Sequence, residues 1–198
     1  EPARFVDCYY GSGMEGEENE DGDLTWTRFG LVLHATDPFF RAESETSVRF
    51  VKYNNLTPFL KGDSEPFLGG GLVSSDPQFN PQVEVDNTGD NPAYPTWHFE
   101  GPIEGPLNLV REAPGADTRT LRLTDKFLLG PGQRAEIVTD PTKIQVTSTA
   151  GNILWSALDT NPDFWALEPG INTVRVEGEA PISPTGITLT YRAGYMSM

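Results

Sequence analysis

Glycine and proline interrupt this chain too often for it to hold long helices. Twenty glycines and 17 prolines stand among its 198 residues, and either residue breaks a helix interior, glycine through backbone entropy and proline through its missing N–H. Between the breaks, apolar residues recur two apart: Val83/Val85, Trp97/Phe99, Leu107/Leu109, Leu121/Leu123, Ala135/Ile137, Ile144/Val146, Ile153/Trp155, Val174/Val176 and Ile187/Leu189/Tyr191. Gly101-Pro102, Gly105-Pro106, Pro114-Gly115, Gly130-Pro131-Gly132, Pro141, Gly151, Pro169-Gly170, Gly178 and Pro184 fall between them. A period of two means one apolar and one polar face per strand. Roughly eight to ten such strands at spacings of about 8–12 residues predict an all-β protein, an antiparallel sandwich or barrel. The alternation places Trp97 and Trp155 on buried faces.

The segment before residue 83 reads differently. Residues 13–23 (GMEGEENEDGD) carry six carboxylates and no Lys or Arg, the pattern of a solvated loop. Residues 24–35 predict a strand with one slip near Arg28 or Phe29, ended by Asp37-Pro38. Residues 47–53 predict another. From Thr57 to Gln82, four prolines and Gly69-Gly70-Gly71 bracket short apolar pieces, which marks a connector and the best candidate domain boundary. The chain starts at Glu1 with no apolar signal region after it, and the simplest reading is a fragment or processed product.

Whole-chain quantities narrow the function classes. The formal charge is −15, which works against electrostatic binding of nucleic acid. No apolar run reaches the roughly 18 residues of a membrane-spanning helix. Cys8, the single cysteine, excludes an internal disulfide and a Cys-rich zinc site.

Motifs for catalysis are scarce. His34 and His98 each sit in a strand-like run with no second ligand type at a known metal spacing. Cys8 has no neighbouring His and reads as a plain thiol. The carboxylates sit mostly in turns, and no pair stands out as a glycosidase couple. Residues 86–91 (DNTGDN) lack the sixth-position Gly and twelfth-position Glu of a calcium loop, so they read as a turn. Gly69-Gly70-Gly71 has no following Lys, and no Gly-x-Ser-x-Gly elbow occurs. No enzyme, cofactor or metal is expected. Phe164 and Trp165 follow Asn161-Pro162-Asp163, a turn, and are the pair expected to face a ligand or partner.

Several segments resemble a known family. Residues 87–102 (NTGDNPAYPTWHFEGP), 128–140 (LLGPGQRAEIVTD), 164–174 (FWALEPGINTV) and 188–195 (TLTYRAGY) resemble, in order, signatures of siphophage distal tail proteins and related minor tail proteins. Upstream, Trp26 to Phe40 resembles the end of that family's ring-forming domain. The resemblance implies the C-terminal part of a β-rich ring domain over 1–45, a connector over 46–80, and a galectin-like or jelly-roll β-sandwich over 81–198. It also implies a homohexameric ring in the virion tail, assembled in the host cytoplasm and contacting the tail tube protein and baseplate hub or fibre proteins, without direct nucleic-acid or membrane contact. Sugar-binding galectins carry a His-x-Asn-x-Arg strand and a Trp near a Glu and an Arg. Here His98 is followed by Phe-Glu-Gly-Pro, and Trp165 has Glu168 but no Arg within sequence reach. The expectation is therefore a structural tail component. The alternative is a carbohydrate-binding β-sandwich module stacking a glycan on Phe164 and Trp165, and a β-jelly-roll hydrolase comes third.

Overall fold

The alternation between residues 82 and 191 resolves into two facing antiparallel sheets. The structure, a computed structural model, describes residues 3–13, 30–35, 37–50, 82–149, 154–178 and 186–196. Most of the acidic run, the first half of the expected strand at 24–35, and nearly all of the connector lie outside the described residues.

In chain order the strands are β1 (Arg4–Phe5), β2 (Cys8–Ser12), β3 (Val32–Ala35), β4 (Phe40–Ala42), β5 (Thr46–Phe50), β6 (Gln82–Asn87), β7 (Thr96–Glu100) and β8 (Ile103–Glu104). They continue with β9 (Leu107–Glu112), β10 (Arg119–Leu123), β11 (Leu128–Leu129), β12 (Arg134–Val138), β13 (Gln145–Ser148), β14 (Gly170–Gly178), β15 (Ile187–Tyr191) and β16 (Gly194–Tyr195). Among the described residues a 3₁₀ turn, Leu154–Ala157, lies between β13 and β14. The described residues contain no α-helix.

One sheet runs β13-β12-β7-β15-β5 and the other β10-β9-β14-β6. Register carries the core. Across the five-stranded sheet, Val48, Leu189, Trp97, Ile137 and Val146 lie opposite one another in a single row. Leu121, Leu109 and Val176 form the matching row in the four-stranded sheet. Trp97, Leu189, Ile137, Leu121, Leu109 and Val176 have no exposed surface. Burying each large side chain is worth about 1.5–3 kcal/mol, and a one-residue slip would turn a whole strand's set to water. The β-sandwich expected from the punctuation is the fold observed.

Two differences from the sequence reading follow. Thr46–Phe50, at the head of the expected connector, pairs along its whole length with β15 and buries Phe50, so the sandwich draws in a strand from before residue 81. Of the expected Ile153/Trp155 strand, Ile153 lies outside the described residues, and Trp155 sits on the 3₁₀ turn with 45% of its surface exposed. Two residues spaced two apart are too short a run to separate a strand from a turn.

A three-stranded sheet, β1-β4-β16, joins the N-terminal segment to Gly194–Tyr195. Arg192 Nη1 donates to the carbonyls of Ala42 and Glu43, and the Arg4 guanidinium lies 3.9 Å from the centre of the Tyr195 ring. Among the described residues β2 and β3 pair only with each other, through an irregularity between Tyr10 and Ser12.

Candidate functional site

Phe164 and Trp165 part company in the structure. Trp165 is 3% exposed, its indole N–H donates to the Leu109 carbonyl at 2.9 Å, and its ring meets Trp97 edge-on at 5.7 Å. It is a core residue and corrects the expectation of an exposed pair. Turn residues place the backbone near the surface, but they do not fix where the following side chains point. Leu167 fixes it here: its N–H and C=O both bond Ala93, which folds the segment back onto the sandwich. Phe164 is half-buried against the core and stands at 80° to the Trp155 ring, 6.1 Å away. Trp155 is the exposed aromatic at this place, and the sequence assigned it the opposite face. A 3₁₀ turn rotates successive side chains by a third of a turn, so two-residue spacing says nothing about its facing.

Arg111 supplies the partner that sequence proximity did not offer to Glu168. It reaches from β9 to place Nη2 3.4 Å from Glu168 Oε1. Its side chain is buried, and its Nε and Nη1 have no hydrogen-bond partner among the described residues. Directly across the sheet stands Arg119, which bonds Asp163 at 3.3 Å. Each arginine of this like-charged pair is thus matched by an acid from the segment that carries Trp165. These contacts fasten that segment to β9 and β10.

Concave surfaces among the described residues include the following two. The first, about 500 Å³, lies on the outer face of the five-stranded sheet around His98, Glu136, Thr188 and the Arg134–Glu100 ion pair of 2.9 Å. His98 Nε2 is 3.1 Å from Thr190 Oγ1 and its Nδ1 is 3.8 Å from Glu136, the surroundings of a strand-face histidine. The second, about 590 Å³, lies under Trp155 and is lined by Thr124, Asp125, Lys126, Ser156, Asp159 and Thr160 among others.

Among the described residues the two candidate histidines lie in different sheets. His34 belongs to the β2–β3 ribbon, apart from His98, and stacks on Tyr9 at 5.4 Å. Among the described residues no three His, Cys, Asp or Glu side chains gather into a metal-binding group. The 86–91 run ends β6 at Asn87 and then bends back: the buried Asn87 side chain donates to the carbonyls of Asn91 and Leu167 and accepts from Gly89 N–H. Cys8 is exposed.

The β2–β3 ribbon is a second feature not singled out in the sequence. Every residue of both strands is exposed, with Tyr9 at 58%, Tyr10 at 47% and Leu33 at 54%. Adjacent Tyr9-Tyr10 and consecutive Leu31-Val32-Leu33 were its signal: apolar residues on both faces of one strand. Beyond the ribbon, burial acts to raise the Asp37 carboxyl, but the Arg41 hydrogen bond at 2.6 Å, the Phe39 N–H and the Arg41 charge outweigh it and hold Asp37 below its ordinary value.

No family model matches the sequence, and neither does any curated protein. Among solved structures, the fold is similar to that of the Dit (gp 19.1) protein of phage SPP1, described as a paradigm of hub adsorption apparatus in phages infecting Gram-positive bacteria. The TM-score is 0.59 at 14% sequence identity, over 98% of this chain and 61% of that one. The chain therefore spans less than two thirds of the protein it resembles.

Proposed function

We propose that this chain is a structural component of a bacteriophage tail tip or baseplate, a distal or minor tail protein that joins the tail tube to the adsorption apparatus through protein–protein contacts. One observation carries the reading: over 98% of its length the chain shares the fold of a protein described as a hub of a phage adsorption apparatus. The tail-protein signatures seen in the sequence support it, because they fall on the turns and strands that build the sandwich. The 87–102 signature runs from the Asn87 turn through β7, and the 164–174 signature is the fastened segment that leads into β14.

The exposed ribbon supports an assembling role. A lone two-stranded ribbon is at best marginal in water, and clustered exposed apolar side chains mark surfaces that partners cover. In a ring each copy meets its neighbour through the same pair of unlike surfaces, and stable contacts bury about 1,000 Å² or more. A charge of −15 would also weaken any hold on DNA passing through a tail. Structural placement in the virion, rather than bond-making chemistry, is the role these features support.

Light scattering on the full natural polypeptide tests the reading. A ring, with a mass near six subunits, is the expected outcome, and a strict monomer at high concentration overturns it.

A further inference from the structure

The cleft under Trp155 combines features that the tail role does not use. Its aromatic wall is an indole 45% open to solvent, held in place from behind by the perpendicular Phe164 ring. Its floor is tied to the sandwich: Thr124 donates through N–H and through Oγ1 to the Ala157 carbonyl, at 2.8 and 3.1 Å. Leu158 N–H closes the turn on Trp155 O at 3.2 Å, and Leu158 bridges to Leu123 at the end of β10. The wall and floor are therefore fixed before any ligand arrives, which lowers the ordering cost of binding.

The rim is polar. Asp125, Lys126 and Ser156 are exposed and line the cleft, and their side chains make no hydrogen bond or ion pair with other described residues. Asp159 accepts from Thr160 N–H through Oδ1, which leaves Oδ2 for another donor. A flat apolar face flanked by carboxylates with open acceptor sites, a hydroxyl and an ammonium matches a pyranose, which has an apolar C–H face and a rim of hydroxyls that both donate and accept. At about 590 Å³ the cleft lies within the usual range for small-molecule sites, about 300–1,000 Å³.

Other ligands fit less well. Two carboxylates against one ammonium, on a chain of net charge −15, repel phosphorylated or acidic glycans. An apolar peptide would meet mostly polar lining. We propose that the Trp155 cleft binds an uncharged oligosaccharide, with one sugar ring stacked on the indole and its hydroxyls bonded to Asp125, Ser156 and Asp159. The site is separate from the ribbon, so its failure would leave the tail reading standing.

The test is isothermal titration calorimetry of the chain with N-acetylchitotetraose, cellotetraose and maltotetraose, before and after Trp155→Ala. Binding of at least one of the three is expected, weakened roughly tenfold or more by Trp155→Ala with the circular dichroism unchanged. Absence of heat with all three, or wild-type affinity in Trp155→Ala, overturns the proposal. Because Trp155 touches Phe164, Asp125→Ala decides the matter if Trp155→Ala fails to fold. A several-fold loss then supports the site, and unchanged affinity overturns it.

Discussion

At the scale of single residues, Asn172 shows how one buried side chain can fix a turn. It has no exposed surface. Its Nδ2 donates to the carbonyls of Glu168 and Gly170, at 2.7 and 2.9 Å, while Oδ1 accepts from Glu168 N–H at 2.9 Å. Gly170 between them takes φ = 89°, a value that glycine adopts without strain. The turn is spelled Pro-Gly-x-Asn, and asparagine bonds nearby backbone. Each backbone group left unpaired in a buried place costs about 1–3 kcal/mol. Asn172→Ala is accordingly expected to lower unfolding free energy by about 2–4 kcal/mol in urea titration, and a loss within error of zero would contradict the assignment. Asp37 carries a pH signature. Its carboxyl lies lower folded than unfolded, so the stability it adds is present above the unfolded value, about 3.9, and is lost as pH falls through the folded one. The stability gap between wild type and Asp37→Asn should be widest near neutrality and close below about pH 4. Parallel pH profiles for the two proteins would refute this.

At the scale of elements, the strands were largely legible and the segments between them were not. Trp97 and Phe99 alternate with His98 and Glu100, and both rings are buried in β7 as the period requires. Trp155 and Trp165 escaped the same logic. One sits on a 3₁₀ turn and the other on a fastened loop, where no repeating period links sequence position to direction. Arg111 adds a second case: its Glu168 contact joins residues 57 apart in sequence, which no local pattern could signal. The ribbon behaves as an element of its own. Among the described residues β2 and β3 pair with no strand of the sandwich, and none of their side chains belongs to its core. Leu33→Asp should leave the thermal unfolding midpoint of the sandwich within about 2 °C of wild type, whereas a larger drop would mean that the ribbon packs on the sandwich.

At the scale of the whole molecule, the same substitution has a second expected effect. If the ribbon is the surface through which copies meet, Leu33→Asp should shift scattering mass from ring to monomer, because an unpaired charge placed in an apolar contact is costly. A ring that forms normally would remove the ribbon from the interface. The composition and the period-two punctuation determined by themselves that this chain builds antiparallel β-layers, since glycine, proline and alternation act locally and are written in order along the sequence. The tertiary structure alone decided that Thr46–Phe50 completes the larger sheet, that Trp165 turns inward, and that Trp155 and the ribbon face solvent. Those outcomes depend on which distant strands and carbonyls come within reach, and that is settled only when the two sheets close over one core.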